Sequence, residues 1–193
     1  EIHCDLTAPG CSYVPFASVS EKCRENSITC IAPTKAFNLA GLQTAAVVVP
    51  NPVLRHKVWR GLNTDEVAEP NAFAMDAAIA AFTEGGEWLD ALREYVFENK
   101  RLVEEYVAEE IPGVSVVPSQ ATYLSWLDCT SLSVPAEELA AFIREKTGLY
   151  LSSGEQYGGQ GKWFLRMNLA CPRSAAEDGL DRLKRGIQAF RSR

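Results

Sequence analysis

The sequence has little of what marks a metal, membrane or nucleic-acid protein. It holds two histidines in 193 residues, and no two cysteines form a CxxC pair, so the paired ligands of a zinc site are missing. His3, Cys4 and Cys11 lie close together, but no second ligand pair stands at usable spacing, and His56 falls in a basic helical stretch. The six cysteines, at positions 4, 11, 23, 30, 129 and 171, are few for a disulfide-stapled scaffold of this length and point to a reducing, cytoplasmic compartment. Basic charge is in deficit: 19 Lys and Arg against 25 Asp and Glu give a net charge of -6 with no basic patch. That excludes a chain built to follow phosphate backbones or anionic lipid. Long apolar runs are missing too. The stretch Thr44 to Val49 is typical, far below the ~20 residues that cross a bilayer, and no signal-peptide pattern opens the chain.

What is present is the composition of a folded protein, 47% hydrophobic and 23% charged, enough for one sizeable domain or two small ones. Glu1 to Leu6 (EIHCDL) reads as the end of a buried strand without an initiating Met or polar lead-in, so the chain is expected to be the later portion of a longer protein. A short helix is expected near Ser18 to Asn26, then strands at Ile28 to Ile31 and Ala45 to Val49, the second closed by Pro50-Asn-Pro52. Two nearly unbroken apolar strands predict a sheet buried on both faces.

From Pro70 the period becomes helical, with Phe73, Ala77, Ala80 and Ala81 on one stripe and a break at Gly85-Gly86. A long helix follows, carrying Trp88, Leu92, Tyr95, Val96, Leu102, Val103, Tyr106 and Val107 at three- and four-residue steps until Pro112-Gly113. The remainder predicts strands at 114–117, 123–127, 149–151 and 163–168, a helix at 136–146 and a closing helix, a small α+β lobe. Ser174 and Glu177 have the spacing of a capping box for the last helix, whose buried face is Leu180, Leu183, Ile187 and Phe190. Ser133 and Gly148 bracket the helix before it.

Lys35 stands between an apolar strand and a turn of small residues, not on a solvated helix face. An amine at the mouth of an apolar site loses hydration, which favours its neutral, nucleophilic form and so condensation with a carbonyl. The plain alternative is an exposed loop lysine. Arg166 lies inside an apolar strand, where its planar fork needs a carboxylate partner, either a substrate's or an internal one.

The segment Ala32 to Leu42 (APTKAFNLAGL) resembles the pyridoxal-phosphate attachment segment of the class I and II aminotransferase superfamily, with Lys35 at the Schiff-base position. Trp163 to Arg173 (WFLRMNLACPR) resembles the C-terminal motif whose first arginine, here Arg166, grips the substrate α-carboxylate. Glu1 to Asp5 resembles the preceding strand end, which in the family follows an aspartate that pairs with the pyridine nitrogen. Glu1 to Leu6 and the NLACPR segment are most similar to the MalY- and PatB-like cystathionine β-lyase branch.

The resemblance implies pyridoxal 5'-phosphate as cofactor and an α/β fold of type I. Residues 1–70 would end the large cofactor-binding domain, 71–112 would be connecting helices, and 113–193 a small C-terminal α+β domain. It implies Lys35 as the amine that holds the cofactor and then acts as general base. His3 would stand near the cofactor's phenolic oxygen, or be a satisfied strand-end histidine; Thr34 would touch its phosphate, or only stabilise the turn. Asn38 and Tyr157 would line the substrate site, or be ordinary turn residues. Arg173 would cap local structure. Where many family members carry a serine and an arginine for the phosphate, this chain has Ala32 and Gln43, so those contacts must come from other groups. The implied activity is carbon-sulfur β-elimination from L-cystathionine or a cysteine conjugate by a homodimer that binds neither nucleic acid nor membrane. The alternatives are amino transfer, or a non-catalytic C-terminal module that pairs with itself.

Overall fold

In the computed structural model, which describes residues 1–193, the β-branched residues near position 30 extend into strand β1 (Thr29–Ile31), which pairs antiparallel with β2 (Ala46–Val48). The register sets Thr29 opposite Val48 and Ile31 opposite Ala46. The expected sheet with two buried faces is not formed here. Within residues 1–193 the two strands pair only with each other, and Val48 is 45% exposed. The N-terminal residues differ from expectation as well. They fold as turns, with the amide of Cys4 donating to the Glu1 carbonyl and that of Leu6 to the His3 carbonyl, in place of a strand end.

Helix α1 (Glu21–Glu25) precedes β1 and is capped by Ser20, whose side chain accepts from the Cys23 amide. After β2 comes α2 (Pro52–Thr64), which the sequence marks by an Asn-Pro start: Asn51 Oδ1 accepts from the amides of Val53 and Leu54 at 2.9 and 3.1 Å. Helix α3 (Ala74–Glu84) ends at Gly85 and α4 (Gly86–Glu110) begins at the next residue. These elements up to Arg93 make one compact unit; Glu94–Arg193 makes the other. Within the first, Arg93 ties α4 to the N-terminal turns, donating from Nε to the Thr7 carbonyl at 2.9 Å and from Nη2 to Thr7 Oγ1 at 3.0 Å.

The second unit contains β3 (Ser115–Val116), β4 (Leu124–Asp128), α5 (Ala136–Thr147), β5 (Ser152–Ser153), β6 (Phe164–Asn168) and α6 (Arg173–Arg191). Its strands form one antiparallel sheet in the order β3-β4-β6-β5. Period-2 alternation splits β4 and β6 cleanly. Leu127, Leu165 and Met167 face the core built with Val103, Val107, Leu139, Ile143, Leu180, Leu183 and Ile187 of α4, α5 and α6. Residues 124, 126, 128, 164 and 166 take the opposite face. At ~25 cal/mol per Å² of apolar surface, each such fully buried aliphatic side chain contributes about 1.5–3 kcal/mol, so this one-sided core orients the sheet.

Local signals at the helix ends fared unevenly. Gly148 ends α5 in the left-handed region at φ 74°, its amide bonding the Arg144 carbonyl. Ser133 is not the cap of α5: the N-cap is Pro135, and Ser133 ends a 3-10 turn. Likewise α6 starts at Arg173 after Pro172, so Ser174 is already helical and no capping box forms. The amide that a cap would satisfy finds a distant partner, Arg173 N donating to Tyr95 Oη at 2.7 Å. The strand expected at 149–151 lies further on, at Ser152–Ser153, because Leu151 turns into the core.

Candidate functional site

In the first unit Lys35 sits on the turn that follows β1. The Phe37 amide donates to the Pro33 carbonyl at 2.9 Å and the Leu39 amide to the Thr34 carbonyl at 3.1 Å, winding the chain through a tight bend. Asn38 adopts φ 55°, a left-handed conformation that asparagine tolerates better than most residues. Pro33 and Ala36 are buried beside the lysine. Phe37 anchors the bend, its ring stacking on Trp88 at 5.9 Å and meeting Phe82 edge-on at 5.8 Å.

Lys35 itself is exposed. The expectation of a desolvated amine is therefore not met within this unit: the buried positions of the bend go to its neighbours, and no apolar wall of the unit closes over Nζ. The Thr34 side chain is half-buried, and its backbone carbonyl, not its hydroxyl, closes the turn. His3 is half-buried in the N-terminal turns. Thus Thr34, Lys35 and Asn38 share one bend.

In the second unit the helix-free face of the sheet carries Arg166. Its guanidinium is half-buried, belongs to none of the chain's ion pairs, and donates from Nη2 to Ser152 Oγ at 3.5 Å, the outer limit of a hydrogen bond. The Tyr157 ring lies over it, 4.6 Å from Cζ to centroid. So the structure brings Arg166 and Tyr157 together. It adds two residues that sequence reasoning missed, Ser152 and Trp126, which flank Arg166 in the same row of the ladder. Alternation could have placed Trp126 on the right face; the register that sets it opposite Arg166 is not written locally.

Two adjacent buried polar residues of α4 hold that end of the sheet. Asn99 Nδ2 donates to the carbonyls of Leu169 and Cys171 at 3.2 and 3.0 Å, just past β6. Lys100 Nζ donates to Ser119 Oγ at 3.0 Å and to the carbonyls of Ala121 and Thr122 at 3.2 and 3.3 Å, just before β4. Burial pushes the Lys100 ammonium below its ordinary range. Arg173, expected as a local cap, pairs with Glu98 at 2.6 Å.

The profile described as aminotransferase class I and II matches residues 1–183. The chain belongs to the class I and II aminotransferase family. Among its relatives in that family, cystathionine beta-lyase PatB of Bacillus subtilis is 37% identical over 187 residues, covering 97% of this chain and 48% of the relative. Protein MalY of Escherichia coli is 31% identical over 192 residues, 99% of this chain and 48% of the relative. The crystal structure of cystalysin from Treponema denticola, which contains a pyridoxal 5'-phosphate cofactor, superposes with a TM-score of 0.93 at 28% identity, over 98% of this chain and 48% of that one. The chain spans about half the length of the curated relatives it matches, and its α/β fold is that of the corresponding half of this family's enzymes.

Proposed function

We propose that the chain is the part of a pyridoxal-phosphate-dependent carbon-sulfur β-lyase that supplies the cofactor-holding lysine and the carboxylate-binding arginine. The observation that carries this reading is Arg166, a half-buried guanidinium with no protein carboxylate to balance it, because an arginine so placed is worth most to an incoming carboxylate. Similarity to PatB and MalY supports elimination from a sulfur amino acid.

The residues present suit the cofactor. Lys35 offers an amine that sits exposed on a bend anchored by Phe37, Thr34 offers a hydroxyl beside it, and His3 offers a ring nitrogen near the start of the chain. When bound, the cofactor supplies an aldehyde for an amine and an electron-poor ring that draws charge from Cα. With the cofactor bound, Lys35 would be the residue that holds it through Nζ, and the same amine would serve as the base for the substrate Cα proton. Arg166 orients the substrate by its carboxylate, with Tyr157 and Asn38 lining the site. The substrate's sulfur departs with the Cβ-S electron pair, so that L-cystathionine and water yield a thiol, pyruvate and ammonia. The parent is proposed to work as a cytoplasmic homodimer, on the strength of the family resemblance.

The test is to incubate the full-length protein, loaded with cofactor, with L-cystathionine. Pyruvate is the expected product, and Lys35→Ala is expected to lower its rate by at least about a hundredfold. Ready exchange with a keto acid and no pyruvate would assign amino transfer instead.

A further inference from the structure

We infer that Trp126 is a positioning residue for the carboxylate site: it holds the Tyr157 ring against the Arg166 guanidinium, and so sets the plane of that guanidinium without touching the substrate. The inference rests on the carboxylate role of Arg166 proposed above.

Trp126 is the direct ladder partner of Arg166 across β4 and β6, and both lie on the helix-free face of the sheet. Its ring meets that of Tyr157 edge-on, centroids 5.5 Å apart and planes at 84°. Phe164 braces it in the same manner at 6.1 Å and 84°. Tyr157 in turn covers Cζ of Arg166. Trp126, Tyr157 and Arg166 therefore form a continuous chain of contacts, each member bearing on the next.

The loop that carries Tyr157 also rests on Trp126. A Cβ at Gly154 would lie 2.8 Å from Cζ3 of Trp126 and would overlap the Gly161 carbonyl oxygen, while one at Gly161 would overlap the Gly154 carbonyl oxygen. Two glycines thus close the loop backbone on backbone, with the indole as its floor. Tyr157 is 45% exposed, so the loop closure and the indole edge are what keep its ring in place.

The chemical consequence follows from the shape of the guanidinium. Its five N-H donors lie in the plane and its faces carry none. A ring stacked on one face stabilises the cation and leaves the donor edge open. With the plane held, a carboxylate meets the fork edge-on and forms two parallel bonds; with the plane free to rotate, one of those bonds is lost for much of the time.

The experiment uses the full-length, cofactor-loaded protein, with dissociation constants read from the cofactor absorbance. L-alanine is the probe with a carboxylate and no leaving group; ethylamine is the probe without a carboxylate. Trp126→Ala is expected to weaken L-alanine about five- to tenfold, the size of a lost cation-π contact, and to leave ethylamine within about twofold. Trp126→Phe, which keeps an aromatic edge, should restore most of the L-alanine affinity, and Tyr157→Ala should reproduce the selective loss. Should Trp126→Ala fail to fold, Tyr157→Ala and Trp126→Phe decide the matter alone. Equal weakening of both probes, or none, overturns the inference. Arg166→Met separates the two readings. If it leaves L-alanine affinity unchanged, the carboxylate role fails and the inference falls with it; if it abolishes that affinity while Trp126→Ala and Tyr157→Ala do not alter it, only the inference fails.

Discussion

The ring of Phe37 packs so closely on Gly85 that a Cβ at position 85 would stand 2.5 Å from Cε1 of that ring. Phe37 lies two residues beyond Lys35, and Gly85 marks the joint between α3 and α4. The bend that presents the lysine is thus seated in a helix elbow 50 residues away in sequence. Gly85→Ala is expected to cost about 1–3 kcal/mol, the range for forced overpacking, seen as a lower urea midpoint of the full-length protein. The same variant should give slower pyruvate release from L-cystathionine.

Borohydride reduction of the cofactor-loaded parent, followed by peptide mapping, should place the cofactor mass on the peptide containing Lys35. Lys35→Arg should remove it. A reduced adduct on a different lysine would transfer the proposed chemistry elsewhere.

Lys100 is 2% exposed and donates to three oxygens of the segment before β4. Lys100→Met keeps most of the stem and strands those acceptors, which predicts a loss of about 1–3 kcal/mol. Equilibrium denaturation measures it. An unchanged midpoint would mean that water replaces the ammonium at no net cost.

Burial, with the neighbouring Asp128 charge adding to it, pushes the Cys129 thiol up to about 12 from an ordinary 9.0. Between those values the unfolded chain releases the proton and the folded chain keeps it, so stability falls as pH rises through this window. The slope approaches about 1.4 kcal/mol per pH unit. Cys129→Ala should flatten the alkaline loss of the urea midpoint. At about pH 8, iodoacetamide should label exposed Cys30 and spare Cys129.

Much of this architecture was legible in the residues. The helix carrying Val96, Val103 and Val107, the buried face of α6 and the Gly148 stop all follow from period and cap chemistry, and these are the features that local physics decides. The failures have a common cause in distant partners. Pro172 and Tyr95 Oη displaced the capping box at Ser174, with a bond that spans 78 positions. Leu149 to Leu151 has the composition of a strand, yet Leu151 is claimed by the core and pairing starts one residue later. Of the proposed site residues, Lys35 and Arg166 stand out in the sequence because each lies in a contiguous motif. Trp126 and Ser152 do not, since they join Arg166 only through strand register.

The alternation along β6 gives one short strand two masters. Leu165 and Met167 answer to the helices, Arg166 to the carboxylate role proposed for it, and they are separated by single steps. A slip of one residue against β4 would bury a cation where leucine belongs and put leucine on the face where the carboxylate site is proposed. Misregistered molecules are therefore penalised by the core before they can persist, so a population that has folded is one whose Arg166 already lies on the helix-free face.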